Sequence, residues 1–252
     1  MNRQKQHKLN YLLKTWPKNT VAASHWLKKQ GVYRQLAGAY EKSDWIESIG
    51  YGAFKRSGES IGWAGGLYAL QQQLKLNVHL GGRSALELQG YMHFVPLGKS
   101  HPVFLFGLKR FLPAWFKKYR WEQPVKYVYT NGFPYKDKIG LTTKDMGEYS
   151  IILSSSELAI MEVLYLVGKE ETYEHASLLM EALKTLRPVV VQELLEKTVS
   201  MKVKRLFMYF AEKFNHSWVN HLNLEKVDFG KGKRVIGKGG KFDSKYNISV
   251  PK

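Results

Sequence analysis

Arg34, Gln35, Tyr40 and Lys42 fall within residues 33–43, where Tyr33, Leu36, Ala37 and Tyr40 recur at helical spacing. An α-helix fits the major groove of B-DNA, where Arg can read guanine and Gln can read adenine through paired hydrogen bonds, and its N-terminal residues lie nearest the bases. Lys28 and Lys29 upstream, and Lys55 and Arg56 downstream, would meet phosphates, contacts that position without specifying. These eight residues are the candidate DNA-binding set; as ordinary solvated charges they would do nothing of the kind.

A second run invites chemistry, GKGKRVIGKGG at 230–240. Gly232 and Gly237-Lys238 match the spacing of a phosphate loop, but Gly239 stands where a Mg²⁺-binding hydroxyl is needed, and no helix follows. A basic turn between terminal strands is expected instead. The eight histidines are scattered, His216 and His221 being the nearest pair, without the spacing of a metal site. Glu157, Glu162, Glu170, Glu171 and Glu174 read as solvated helix faces rather than acid or base groups. With no Gly-x-Ser-x-Gly and no Cys, no nucleophile stands out. No catalytic residue, metal or other cofactor is expected, and the chain is not expected to be an enzyme.

Positioning the first set requires a scaffold, and the pattern supplies one. Leu9, Leu12, Leu13 and Trp16 mark an amphipathic helix at 4–16, ended by Pro17. Thr20 is a plausible N-cap for a second helix with Ala23, Trp26, Leu27 and Gln30 on its stripe; Gly31 then turns the chain into the third. Residues 45–49 and 53–56 flank Gly50-Tyr51-Gly52 as a hairpin. Three helices and a hairpin spell a winged helix-turn-helix. Trp63, Leu67, Leu70 and Leu74 continue as a helical extension, and from about Val95 five prolines punctuate short aromatic and β-branched runs. A boundary is expected there, giving domains at 1–95 and 96–252. Ser154 and Glu157 have capping-box spacing before an apolar helix, two helices follow, and a fourth carries Val203, Leu206, Phe207, Phe210 and Phe214 on one face and Lys202, Arg205, Tyr209 and Lys213 on another. The fold class is therefore α+β: an N-terminal winged helix-turn-helix, then a mixed α/β domain.

Charge supports a polyanionic partner. Lys and Arg number 39 against 21 Asp and Glu, a formal +18, which favours nucleic acid or an anionic surface and makes binding salt-sensitive. It is placed in blocks: +7 over 1–60, +7 over 99–138, −5 over 139–200 and +8 over 201–252. No stretch has the apolar length of a membrane span and the N-terminus lacks a signal-peptide core, so a cytoplasmic location without membrane contact is expected.

Several segments also resemble the AbiEi antitoxins of type IV toxin–antitoxin systems: IESIGYGAFKR at 46–56, GWAGGLYALQQQLKLNVHLGGRSALELQGYMHF at 62–94, SSSELAIMEVL at 154–164, LLMEALKTLRP at 178–188, VKRLFMYFAE at 203–212, and VDFGKGKRVIGKGGKFDSKYNISVP at 227–251. Residues 113–145 carry no recognisable motif. The resemblance implies a repressor of its own operon that binds double-stranded promoter DNA with inverted repeats, and a C-terminal antitoxin domain that counters a nucleotidyltransferase-like toxin without a stable complex. Lys202, Arg205, Lys213, Lys231, Lys233, Arg234, Lys238 and Lys241 are candidates for a C-terminal basic surface that adds phosphate contacts or meets an RNA. Direct toxin binding through the acidic helices of 139–200 or the apolar loop region, a regulator without an antitoxin role, and an enzyme acting on the toxin or its substrate are the alternatives. A monomer in solution is expected.

Overall fold

The computed structural model describes residues 3–91, 101–236 and 240–251. Helix α1 (Arg3–Thr15) buries Leu9 and Leu12, and Trp16 just beyond it, as the periodicity predicts. The apolar run that follows is not yet helix. Ala22–Ala23 form a short strand, β1, and the Thr20 hydroxyl donates to Pro17 O at 2.7 Å instead of capping. What makes these residues β is pairing with a distant strand, invisible to a local window. Helices α2 (Ser24–Lys29) and α3 (Arg34–Lys42) are joined across Gly31, whose φ of +76° is the left-handed conformation that glycine adopts without cost. Strands β2 (Ile46–Gly50) and β3 (Ala53–Arg56) form the hairpin, and β1 adds to it antiparallel in the order β1-β3-β2.

Helix α4 (Trp63–Tyr68) runs into a wide π turn (Ala69–Gln73), followed by β4 (Val78–Leu80) and α5 (Gly82–Leu88). Then come β5 (Val103–Gly107), α6 (Ala114–Lys118), β6 (Val125–Tyr129), β7 (Leu141–Asp145) and β8 (Ser150–Ser154). The five strands make one mixed sheet, β6-β5-β4-β8-β7. Helices α7 (Ser156–Leu166), α8 (Tyr173–Ala182), α9 (Pro188–Lys197) and α10 (Met201–Lys213) build the helical layer. A terminal three-stranded sheet closes the chain: β9 (Arg234–Val235), β10 (Lys241–Asp243) and β11 (Ile248–Val250).

The boundary expected near residue 95 falls among residues outside the described set, but the packing does not divide there. β4 is the central strand of the large sheet, antiparallel to β5 and parallel to β8, so a cut after it would remove the middle of that sheet. Leu67, Leu70, Leu80 and Leu86 share one core with Phe104, Leu158 and Phe207. The first unit with its own core, Leu9, Leu12, Trp16, Leu27, Val32, Tyr40 and Ile46, ends with β3. A change in composition marks where prolines begin; it cannot show that a strand before it pairs with strands after it. Two glutamines on the π turn join the units. Two positions apart on a helix, they point to roughly opposite sides. Gln71 Nε2 donates to Val78 O and Ile152 O, each at 2.9 Å, filling the gap where β4 and β8 diverge. Gln73 accepts from Ala23 N and donates to Val21 O, both at 2.8 Å, and so satisfies the free edge of β1.

Three of the five glutamates expected on solvated faces, Glu157, Glu162 and Glu171, prove to be internal, while Glu170 and Glu174 are exposed as expected. Helix α7 is buried almost all round, as a central helix must be. Its Glu162 is fully buried and accepts four hydrogen bonds, from His79 Nε2 and Tyr135 Oη at Oε1, each 2.8 Å, and from Gly82 N and Ser154 Oγ at Oε2, each 2.7 Å. Ser154, read as part of a capping box, ends β8 and spends its hydroxyl here, while Ser155 takes the N-cap position. Burial, followed by the Glu162 charge, pushes the Tyr135 hydroxyl well above its ordinary pKa, so it stays a donor. Glu157 pairs with Arg187 through two 2.9 Å bonds; burial works to raise its carboxyl, but hydrogen bonds from Arg187 and Ser155 hold it at about 2. Glu171 is likewise buried, 2.9 Å from His175 Nδ1.

Glu162→Gln keeps the size of the side chain but turns an NH₂ toward two of the four donors. The unfolding midpoint in urea should fall by an amount equivalent to roughly 2–4 kcal/mol. An unchanged midpoint would show that the carboxylate does not organise this core.

Candidate nucleic-acid interface

The α2-turn-α3 element presents Lys28, Lys29, Arg34, Gln35 and Lys42 to solvent. Arg34 and Gln35 occupy the first turn of α3, and Tyr33, 58% exposed, precedes them at its N-cap position. These side chains share one end of one helix, held by Leu27 and Val32 in the core beneath.

Three members of the candidate set are elsewhere engaged. Tyr40 is 1% exposed and packs in the first core, and burial raises its hydroxyl pKa. Its place on the apolar stripe of α3 was the sequence signal that it points inward. Lys55 is 2.9 Å from Glu47 Oε2 and donates to Glu59 O at 2.9 Å. Arg56 donates to Leu13 O at 2.7 Å and to Trp16 O, and its guanidinium lies 5.6 Å from the Trp16 ring centroid. It therefore satisfies carbonyls at the end of α1, where a cation is favoured by the helix dipole. The hairpin's own cations thus hold the unit together. What the hairpin exposes is Tyr51, 93% accessible at its tip between Gly50 and Gly52. Reading that aromatic as part of the turn alone passed over it.

The C-terminal set divides similarly. Arg205, on the face expected to be a basic stripe, is 2% exposed and donates to the carbonyls of Phe229, Gly230, Gly232 and Asn247 at 2.6–3.2 Å. Residues 229–232, at the start of the glycine-rich run, are thereby wrapped around a buried guanidinium. Lys202 donates to Tyr165 O and Val167 O at 3.1 and 2.7 Å, and burial, with Lys169 nearby, draws its pKa down to about 8. The terminal segment covers the middle of α10, which is why Arg205 does not reach the surface. Lys213, Lys231, Lys233, Arg234 and Lys241 remain exposed, with Lys213 over the Phe210 and Phe214 rings. Lys238 lies outside the described residues.

Among the described residues no helix is long and apolar enough to cross a membrane. Nor does any group of three His, Asp or Glu among them have the geometry to hold a metal ion. A cavity of about 290 Å³ touches His79 and Tyr135, but His79 Nε2 and Tyr135 Oη are already bonded to Glu162.

Two family models match nearly the whole chain: a transcriptional regulator described as the AbiEi antitoxin N-terminal domain, over residues 5–97, and a transcriptional regulator described as the AbiEi antitoxin of a type IV toxin–antitoxin system, over residues 100–251. The chain belongs to the AbiEi family. Among solved structures, the Rv2827c protein from Mycobacterium tuberculosis is similar in fold, with a TM-score of 0.59 at 14% identity, covering 98% of this chain and 92% of that one. No curated protein matches it. The two AbiEi models meet between residues 97 and 100, whereas the large sheet runs across that point through β4.

Arg56→Ala should lower stability by about 1–3 kcal/mol, the cost of leaving charge-bonded carbonyls unmet. It should leave the salt dependence of any DNA binding unchanged. A variant of wild-type stability with a reduced salt slope would return Arg56 to the phosphate-contacting set.

Proposed function

We propose that the chain represses its own operon by placing α3 of a winged helix-turn-helix in the major groove of promoter DNA, and that it acts in the cytoplasm as the antitoxin to a nucleotidyltransferase-like toxin. The observation that carries the first part is the exposed pair Arg34 and Gln35 on the first turn of α3, behind the Gly31 turn. Those two side chains are suited to base edges and a helix N-terminus is the part of a recognition helix that reaches them. Lys28, Lys29 and Lys42 flank the pair as phosphate contacts. Inverted repeats in the promoter and the nature of the toxin follow from family resemblance.

The antitoxin role belongs on this reading to the body that carries α7 to α10. The exposed cations of the terminal segment, Lys231, Lys233 and Arg234, replace Lys202 and Arg205 as the surface to test, because the latter two are committed to backbone carbonyls.

In the full-length chain, Arg34→Ala or Gln35→Ala should cost about 1–3 kcal/mol on the operator and relax sequence preference, by gel shift at several salt concentrations. The Arg34→Ala chain should release the promoter yet still rescue cells that express toxin from an unrelated promoter. Binding of operator and random duplex with equal affinity by the wild-type chain would remove the case for specific repression.

A further inference from the structure

Two neighbouring strands of the large sheet are joined over a short length only. β4 and β8 run parallel and pair at Leu80 and Leu153, and before that point Gln71 spans the gap between Val78 O and Ile152 O. A cavity of about 290 Å³ lies along this split, with Leu76, Val78, Leu141 and Ile152 as its apolar walls. That volume is at the low end for small-molecule sites and suits a single ring with short substituents.

The polar part of the lining is unsatisfied. His79 has a side chain only 3% exposed, and its ring lines the cavity. Nε2 donates to Glu162 at 2.8 Å, whereas Nδ1 has no partner among the described residues. With Nε2 carrying the donated hydrogen, Nδ1 is the acceptor of the ring, so the group that complements it is an O–H or N–H. A buried acceptor left unmet is costly, and a donor brought into the cavity would remove that cost. The exposed part of the lining has the opposite character. Lys138, Thr142 and Thr143 stand there, and among the described residues neither the ammonium nor the two hydroxyls has a partner. Lys138 adopts a φ of +58°, unfavourable for a residue with a Cβ, within a turn closed by its own N–H to Tyr135 O and by Leu141 N to its carbonyl. An ammonium with hydroxyl donors beside it suits a carboxylate. Apolar walls between the two favour a ring over a cluster of waters.

We propose that the split between β4 and β8 is a binding site for a small single-ring hydroxy-carboxylate. Its hydroxyl donates to His79 Nδ1 at the buried end, its ring lies between Leu76, Val78, Leu141 and Ile152, and its carboxylate meets Lys138 and the threonine hydroxyls at the mouth. The site is independent of the repressor reading, since none of these residues belongs to the DNA-facing set. It uses the one polar atom of His79 that the Glu162 network leaves free.

The test is calorimetric titration of the full-length chain with 2-, 3- and 4-hydroxybenzoate, with benzoate and phenol as comparators. Because His79 also holds Glu162, its free nitrogen is probed from the ligand side rather than by substitution. At least one hydroxybenzoate should bind at one per chain, and benzoate, which leaves Nδ1 unmet, should bind about tenfold more weakly or worse. Lys138→Gln, at an exposed position, should weaken the hydroxybenzoate by about threefold and leave phenol unchanged. Thr143→Trp, from an exposed position opposite Ile152, should fill the cavity and abolish binding, with its thermal unfolding showing that the chain is folded. Should that variant fail to fold, the comparison of hydroxybenzoate with benzoate still decides. Equal affinity for the two, binding that survives Thr143→Trp in a folded chain, or no binding of any hydroxybenzoate at millimolar concentration would overturn the proposal.

Discussion

A carboxylate removed from water must be surrounded by donors, and Glu162 meets that requirement with four of them drawn from four parts of the chain. His79 comes from β4, Gly82 from the start of α5, Tyr135 from the turn after β6, and Ser154 from the end of β8. In a low-dielectric interior, each of these bonds is strong and each omission costly, so the network specifies one arrangement of α7 against the sheet. The helical layer packs in turn on α7, which is buried almost all round.

The N-terminal unit depends on that arrangement at one remove. Gln71 reads the β4 and β8 backbones that Glu162 helps fix, and Gln73, on the same π turn, grips the edge of β1. Position and orientation are thus passed from the buried carboxylate to the small sheet and to α3. Charge is sorted along the same path. Arg56, Arg205 and Lys202 serve carbonyls inside the molecule, while Lys28, Lys29, Arg34 and the cations of 109–120 stay in water. The formal +18 of the sequence is therefore a poor guide to its surface, since part of it holds the fold together.

Much of the local structure was legible. The stripes of α1, α3 and α10 and the hairpin around Gly50-Tyr51-Gly52 follow from spacing and turn chemistry, because those signals act within a few residues. Tyr40 was misassigned despite being legible, since it was counted both on the apolar stripe and among the reading residues, and a side chain on a narrow helix cannot serve both. The roles of Arg56 and Arg205 were not legible at all: a guanidinium that caps a carbonyl and one that meets a phosphate have the same sequence, and the partner carbonyls lie 24 to 43 positions away. The same holds for β1 and β4, which are strands only by virtue of neighbours far along the chain.

Backbone hydrogen exchange on the full-length chain, with and without an operator duplex, tests the central claim most directly, because it reports the contact surface and the integrity of the buried network in one experiment. The account predicts added protection at residues 33–36 and 50–52 on binding, with the Gly82 amide, bonded to Glu162, equally slow in both states. Protection confined to α8, α9 and α10, with the first turn of α3 unaffected, would contradict it.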